Sequence, residues 1–459
     1  MTSPSHLVPA PAGSRAQPYG KFPFAFGKRF FLALAIGLVW TAPAWWDPRY
    51  LWGMFLWDAA ILAAWSWDLR RLPDPEAIEV TRVWNEPVTL AGEGSVALEL
   101  RHRSSSPLLV TLRDEVPPSL RAESAILEIS VPPGGVARDV YSIRPRERGD
   151  ARFGDVFLRY RSPLQLAERW AVAHLPQTVR VFPNLEDAKR NTMYLIRARQ
   201  TVMEKRVTHI RGRGREFESL REYRQGDESR DICWTATARR GKPITKLFQV
   251  ERSQTVWLVL DAGRLLRARW GGFCKLDYAT AAALSLAQVA LYSGDSVGLL
   301  AYGRNLQQRV APAHGTRHMR ILLDALAQVR AEGAEANHWQ AAETILTVQK
   351  RRSLVVWLSD LAETATTPEV VEGAARMSRR HLVLLAVIAQ PEMRQVLAQE
   401  PENAREMYRY AAAQEIVQRR DLLLRELRRQ GALAMEIEPS HLSTNLVNQY
   451  LEAKDRSLI

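Results

Sequence analysis

Cysteine is nearly absent from this chain, since Cys233 and Cys274 are the two in its 459 residues. Neither lies in a Cys-x-x-Cys motif or in a Cys/His cluster, so the sequence predicts no disulfide framework. So few cysteines favour a reducing compartment.

Recognisable catalytic motifs are also missing: the sequence has no His-Glu-x-x-His motif, no Cys–His pair and no evident acid/base pair of carboxylates. Residues 294–298 match Gly-x-Ser-x-Gly, but a helical pattern precedes them and a strand pattern follows, the reverse of a nucleophile elbow. His314 and His318 lack a third ligand, which argues against zinc. We therefore predict no enzyme activity, no catalytic residue and no cofactor.

Positive charge is in excess, because 63 Lys and Arg against 50 Asp and Glu give a net charge of +13. This balance suits nucleic acid, anionic lipid or an acidic protein and does not choose among them. The basic segment 206–216 lacks the residue order of a P-loop and the interleaved aromatics of a stacking platform. We expect no nucleic-acid partner, and the preferred interpretation is a loop near anionic membrane lipid or simply a solvated loop.

Two long apolar runs occupy the N-terminal region, Phe30–Trp46 and Tyr50–Trp67, and only Asp58 interrupts the second. Each has roughly 17–18 residues, the short end of what spans a bilayer as a helix. We predict a two-helix transmembrane hairpin over 30–67, preceded by a disordered tail over 1–29. The alternative is a pair of buried core helices.

Basic residues flank both ends of this predicted hairpin, with Lys28 and Arg29 before it and Arg70 and Arg71 after it. Positive flanks favour the cytoplasmic side, so both ends and the large C-terminal body are expected in the cytoplasm. Asp58 is expected to face the other helix as a protonated or water-reached carboxyl, and a functional role is the alternative.

Two further domains follow the predicted anchor. Short alternating stretches separated by Pro and Gly turns predict a β-sandwich over 78–183. A charged helical linker and a segment dense in both charged and large apolar residues fill 184–252. Over 253–459, four continuous apolar runs alternate with helical patterns, which predicts a Rossmann-like α/β domain with a parallel sheet and C-terminal helices. The fold class is therefore a membrane-anchored multi-domain protein.

Two aspartates end strands of this predicted sheet. Asp261 ends one apolar run, and Asp360 ends another directly after Ser359. Ligands bind at the carboxyl ends of such strands, and a pair of carboxylates there could hold a hard cation. The alternative is that both aspartates cap helices or bind loop backbone.

The predicted sheet resembles a von Willebrand factor A domain, whose Asp-x-Ser-x-Ser loop binds a divalent metal together with a distant Thr and Asp. Here the loop begins at Asp261, and Gly263 and Leu265 stand where the serine oxygens would be. No Thr occurs where the resemblance requires one. The resemblance therefore implies a degenerate binding crevice formed by Asp261, Gly263, Ser359 and Asp360, with no metal ligands assigned.

The segment from Gly212 to Arg252 resembles the signature of the bacterial "domain of unknown function 58" family, and with its surroundings the resemblance extends over roughly residues 30–459. Cys233 departs from the acidic or amide residue usual before the signature Trp. The residues taken as the signature are Glu216, Phe217, Arg221, Tyr223, Gly226, Asp227, Arg230, Trp234 and Arg239.

The resemblance implies a scaffold or adaptor at the bacterial inner membrane. Members are often encoded beside MoxR-type AAA+ ATPases and other membrane von Willebrand factor A-like proteins, which are therefore the expected partners in assembling or activating protein complexes. Two alternatives stay open: a divalent-metal-dependent binder or enzyme using Asp261 and Asp360, and a basic protein that binds nucleic acid or lipid.

The signature combines charged and large apolar side chains, and we expect it to join the two domains. The hypothesis is that its apolar residues pack on the parallel sheet, while its charged residues form a partly buried ion network. The apolar set is Phe217, Leu220, Tyr223, Ile232 and Trp234. The charged set is Arg221, Asp227, Arg230 and Arg239.

Overall fold

Strands dominate the first part of the computed structural model, which describes residues 8–184, 216–224, 232–249, 254–361 and 367–456. The chain divides into two units, residues 1–184 and 185–459. Each unit has its own buried apolar cluster.

The described part of the first unit contains helices and eleven strands, and nine of these strands form one sheet whose two halves meet at β1 and enclose one apolar core as two layers. One layer contains β3, β4 and β7, and the other contains β6, β5, β9 and β10. All of these pairings are antiparallel, and β8 pairs separately with β11. The strands are β1 (Ala12–Pro18), β2 (Phe24–Phe26), β3 (Ile78–Trp84), β4 (Gly94–His102), β5 (Leu108–Asp114), β6 (Ala125–Val131), β7 (Val136–Ile143), β8 (Gly149–Phe153), β9 (Val156–Arg161), β10 (Ala167–Ala173) and β11 (Gln177–Val181).

The tail predicted to be disordered contains strands instead. The first half of β1 pairs with β3 and its second half pairs with β10, so this strand connects the two layers. β2 also pairs with β10. Disorder over 1–29 is therefore wrong for these strands, because backbone pairing to distant partners orders a segment that has little apolar pattern of its own.

The transmembrane hairpin predicted over 30–67 is wrong. Helix α1 (Lys28–Gly37) has only 10 residues, about 15 Å at 1.5 Å per residue. After the short α2 (Thr41–Ala44) comes α3 (Leu51–Arg71), which includes both Asp58 and Asp68. Across the described residues, no helix combines the length and the apolar character needed to cross a membrane. The inner-membrane localisation predicted from the hairpin is overturned by the same finding.

Two aspartates of α3 have different surroundings. Asp58 faces α1, since a methyl group placed on Gly37 would lie 3.0 Å from its Oδ1. Asp68 is fully buried, and it accepts hydrogen bonds from the Ser162 hydroxyl at 2.6 Å and the Ala167 amide at 3.0 Å. Asp68 therefore fixes the end of α3 to the loop that leads into β10.

A buried ion pair joins the two layers of the first unit. Arg82 on β3 forms two hydrogen bonds with Asp114 on β5, of 2.6 and 3.1 Å, and both side chains are fully buried. The Tyr141 hydroxyl donates a further bond of 2.6 Å to Asp114. Burial and the neighbouring Asp114 carboxylate raise the pKa of Tyr141, so it stays a donor.

The second unit contains a six-stranded sheet in the order β18-β17-β14-β19-β20-β21, in which only the edge strand β18 is antiparallel. The four apolar runs of the sequence form β14, β17, β19 and β20, and nearly every residue in these strands is buried. Continuous burial is typical of strands covered by helices on both faces. The strands are β14 (Thr255–Asp261), β17 (Ser296–Tyr302), β18 (Leu306–Ala313), β19 (Leu354–Ser359), β20 (Leu382–Ile388) and β21 (Leu433–Ile437).

Helices connect these strands, and two short antiparallel hairpins complete the unit. One hairpin pairs β12 (Glu216–Glu222) with β13 (Ile244–Gln249), and the other pairs β15 (Arg269–Trp270) with β16 (Phe273–Cys274). The helices are α4 (Trp234–Arg240), α5 (Lys275–Tyr292), α6 (Thr316–Gln328), α7 (His338–Val348), α8 (Thr367–Ser378), α9 (Pro391–Leu397), α10 (Ala404–Arg429) and α11 (Leu442–Asp455).

Truncating Asp114 would leave the Arg82 guanidinium buried without its counter-charge. We expect Asp114→Ala to lower the free energy of unfolding by about 3–5 kcal/mol, measured by urea denaturation of the whole chain. The control is Glu99→Ala, which breaks a solvent-exposed pair with Arg138 in the same unit and should cost less than about 1 kcal/mol. Equal losses in the two variants would contradict this account.

Candidate functional site

The candidate site lies where β14 and β19 end. Asp261 is the last residue of β14, and Asp360 directly follows β19. These strands are parallel neighbours, with Leu260 beside Leu358, so the two carboxylates lie at the same sheet edge. The chain passes from β14 to β17 on one side and later to β19 on the other. A strand-order reversal of this kind is where α/β sheets bind ligands.

Asp261 is bound by its own loop and by the neighbouring strand. Its Oδ1 accepts a hydrogen bond of 2.7 Å from the Gly263 amide, and its Oδ2 accepts one of 2.6 Å from the Ser359 hydroxyl. The pKa of Asp261 is raised to about 6, because burial and the Asp360 charge raise it more than the two hydrogen bonds lower it.

Gly263 is required by close packing in this loop. A Cβ at this position would lie 2.9 Å from both the backbone nitrogen and the Cβ of Ala336. The sequence-based interpretation noted only that Gly263 lacks a side-chain oxygen. The structure adds that a Ser could not occupy the position without displacing the segment before α7.

Asp360 is neutralised by two buried cations. Its Oδ2 lies 2.5 Å from the Lys275 ammonium, at the first residue of α5, and its Oδ1 lies 3.0 Å from Arg420 on α10. Arg420 also binds Glu436 of β21 at 2.8 Å. Burial lowers the pKa of Lys275, while the Asp360 charge raises it.

These contacts do not fit a divalent cation at the strand ends. A hard cation needs several free oxygen ligands, whereas both oxygens of Asp360 face cations and both oxygens of Asp261 accept hydrogen bonds. Within the described ranges, no cluster of three or more His, Cys, Asp or Glu side chains could hold a metal. The Lys275 ammonium supplies the positive charge that this edge requires.

A polar chain beside the site was missed by sequence analysis. Trp357 donates a hydrogen bond of 2.6 Å to the Tyr302 hydroxyl, which lies 2.9 Å from Nδ1 of His338. Because Trp can only donate, the Tyr302 proton points to His338. Burial lowers the pKa of His338 to about 4, so the imidazole is neutral near pH 7. Burial and the Asp261 charge raise the pKa of Tyr302 well above its ordinary value.

An open pocket lies over Asp261, and we call it the strand-end crevice. Its lining includes Asp261, Gly263 and His338, and an ion pair of 3.0 Å joins Arg264 to Glu335. Arg264 and Glu335 are both substantially exposed. The crevice therefore has a carboxyl and a neutral imidazole at its floor and charges of both signs at its rim.

The signature segment is described only in part. Gly226, Asp227 and Arg230 lie outside the described residues. Glu216, Phe217 and Arg221 belong to β12, and the Arg221 side chain donates to the backbone of Glu222. The predicted ion network therefore remains a prediction.

The apolar side chains of the signature do not all pack as predicted. Trp234, the first residue of α4, is 70% exposed, and Leu220 and Tyr223 are 39% and 37% exposed. Ile232 is partly buried, and Arg239 is exposed near the end of α4. Packing on the sheet is thus wrong for Trp234, whose ring faces solvent.

The buried Asp261 carboxyl should make stability depend on pH. Its pKa of about 6 exceeds the ordinary 3.8, so between these values the unfolded chain releases a proton that the folded chain retains. We expect the contribution of Asp261 to the free energy of unfolding to fall by about 3 kcal/mol as the pH rises through this window, and then to level off. The depressed pKa of His338 gives the opposite trend in both proteins, so the measured quantity is the difference between the wild type and Asp261→Asn in urea denaturation from pH 4 to pH 7, which should fall by this amount. Identical profiles would contradict it.

Removing the Lys275 ammonium should destabilise the second unit. We expect Lys275→Met to lower the free energy of unfolding by about 3–5 kcal/mol, because Asp360 then keeps only Arg420 as a counter-charge. Arg419→Ala is the control, since it removes an exposed cation from the same helix as Arg420. A Lys275→Met protein as stable as Arg419→Ala would show that Asp360 does not depend on the ammonium.

Several solved structures resemble part of this chain, at TM-scores too low to support any argument. A conserved hypothetical protein, BatB from Bacteroides thetaiotaomicron, matches at 13% identity and TM-score 0.30, covering 44% of this chain and 99% of its own. Proximal thread matrix protein 1 from the mussel byssus matches at 11% identity and TM-score 0.29, covering 42% and 46%. The pilus adhesin SpaC from Lactobacillus rhamnosus GG matches at 12% identity and TM-score 0.32, covering 45% and 31%.

No curated protein matches the chain. A protein-family model does match. Its range begins within the hairpin of β12 and β13 and includes all residues that line the strand-end crevice. The resemblance predicted from the signature is therefore confirmed over that range: residues 219–408 match the family described as "Protein of unknown function DUF58".

Proposed function

We propose that this protein is a non-catalytic adaptor that binds a partner protein at the strand-end crevice. The observation that carries the proposal is the internal neutralisation of the strand-end charges. Asp360 is held by Lys275 and Arg420, and Asp261 is held by Gly263 and Ser359. Such an edge favours recognition over catalysis, because both carboxylates are already bound by neighbouring side chains or backbone.

The rim of the crevice supplies the features that a protein partner would recognise. Arg264 and Glu335 present opposite charges in a solvent-exposed pair, which suits a partner with complementary charges. The signature segment offers Trp234, which is largely exposed. Trp and Arg are enriched among the residues that dominate protein–protein binding energies.

The partner we propose is a MoxR-type AAA+ ATPase, with other von Willebrand factor A-like proteins in the same assembly. This choice depends on the resemblance to the family, whose members are often encoded beside such ATPases. We also infer that residues 253–459 form a degenerate von Willebrand factor A-like domain. The parallel sheet with aspartates ending β14 and β19 supports that inference, and Lys275 stands in for the metal.

Charge reversal at the rim tests the binding surface. We expect Arg264→Glu to weaken capture of the ATPase, held in its ATP-bound state, by about tenfold, because like charges then face each other across the interface. The measurement is a quantitative pull-down or surface-based titration with the full chain. Arg309→Glu, an exposed reversal on the edge strand β18, is the matched control and should bind within twofold of the wild type.

Calorimetric titration of the full chain alone with Mg²⁺ or Mn²⁺ separates the adaptor from a metal-dependent binder. An edge neutralised by Lys275 and Arg420 should give no saturable heat at millimolar metal. Saturable binding that is lost in Asp261→Asn would favour a metal-dependent site at Asp261 and Asp360. Equal binding by Arg264→Glu and wild type would remove the crevice as the binding surface.

A further inference from the structure

A second pocket lies in the first unit, beside the end of β7, with a volume of about 300 Å³. Its polar lining comes mainly from three arginines, Arg121, Arg144 and Arg146, together with Ser142 and Glu93. We call this the arginine pocket. It belongs to the β-strand unit and has no part in the proposed adaptor surface.

One wall of the arginine pocket is a single face of an extended segment. Beyond β7 the alternation of the strand continues, so that Ser142, Arg144 and Arg146 are exposed while Ile143 and Pro145 are buried. Alternate residues of an extended chain point to the same side. The two guanidinium groups therefore project from neighbouring positions on one surface.

The backbone of this wall is fixed by the loop that follows β5. The amide of Arg144 donates to the Leu120 carbonyl at 2.9 Å, and that of Arg146 donates to the Ser119 carbonyl at 2.9 Å. Leu120 is only 1% exposed, so this loop is anchored in the core. The positions from which the two arginines project are thus set before any ligand arrives.

Arg121 also lines the pocket and is itself restrained. Its Nη1 donates to the Ser142 carbonyl at 3.1 Å, and its guanidinium carbon lies 5.7 Å from the centre of the Tyr141 ring. Tyr141 is in turn held by its hydrogen bond to Asp114 in the core. A restrained guanidinium loses less conformational entropy on binding an anion.

The charge of the pocket is unbalanced. Among the described residues, no carboxylate forms an ion pair with Arg121, Arg144 or Arg146, and Glu93 is the acidic side chain in the lining. Three guanidinium groups around one concavity repel one another unless an anion lies between them. Arginine binds phosphate oxygens through two parallel hydrogen bonds, and a volume near 300 Å³ is at the small end of ligand pockets.

We propose that the arginine pocket binds the phosphate groups of a small soluble phosphate or diphosphate compound. Arg121, Arg144 and Arg146 contact the phosphate oxygens. Glu93, the acidic side chain in the lining, disfavours the most negative ligands.

Calorimetric titration of the full chain with inorganic pyrophosphate tests this site. At low ionic strength we expect saturable binding with a Kd below about 1 mM. The double variant Arg144→Gln/Arg146→Gln should weaken binding at least tenfold. The control is Arg152→Gln, which removes one exposed positive charge from the same unit at a position outside the pocket. This variant should change the affinity for pyrophosphate less than twofold. Absence of saturable binding by the wild type would overturn the proposal.

Two further variants separate a built site from general attraction to positive charge. Arg144→Lys/Arg146→Lys keeps the charge but loses the planar fork, so we expect at least a fivefold loss of affinity. Glu93→Gln removes the opposing charge and should strengthen binding about threefold. Unchanged affinity in both variants would overturn the site even if pyrophosphate binds, and circular dichroism establishes that each variant is folded.

Discussion

The carboxylate of Asp360 can stay buried only while Lys275 and Arg420 both hold it, and much of the second unit is arranged around that requirement. Lys275 begins α5, Arg420 lies on α10, and Arg420 extends the contacts to Glu436 on β21. A buried charge without its partners would cost several kcal/mol. The positions of two helices and the edge strand of the sheet are therefore coupled to a single carboxylate, although these elements are far apart in the sequence.

This coupling also determines what the sheet edge can do. A strand-end carboxylate that is saturated by an ammonium and a guanidinium cannot also coordinate a metal or act as a base. Asp261 is saturated differently, by a backbone amide and a hydroxyl. What remains available is the surface of the strand-end crevice, with Arg264 and Glu335 at its rim.

The sequence predicted the parts of the fold that depend on local pattern. Continuous apolar runs predicted the parallel strands, and the acidic residues at the ends of two of these runs placed Asp261 and Asp360 at one edge. The sequence could not predict Lys275 or Arg420 as partners of Asp360, because nothing local distinguishes a buried cation from a solvated one. The chain Trp357–Tyr302–His338 was hidden for the same reason, since its three members come from separate elements.

In the N-terminal region the sequence predicted membrane spans that the structure contradicts. The apolar residues from Phe30 to Trp67 were predicted to form two membrane spans. The first run instead forms short helices, the first of which ends at Gly37. The second run lies in α3, whose end is fixed by the buried Asp68. Sequence analysis missed β1 because only one of its residues, Ala16, is buried. Backbone pairing holds this strand in place, so its sequence shows no alternation of apolar and polar residues.

Through this pairing, β1 connects the two layers of the first unit. Residues 12–15 lie beside β3 in one layer and residues 16–18 beside β10 in the other, so seven residues hold together both sheets. The ribosome synthesises β3 before β10, and about 150 residues separate the end of β1 from the start of β10. Closing so long a loop costs entropy before any contact offsets it. During synthesis the second half of β1 must therefore wait, unpaired, until almost the entire unit has emerged.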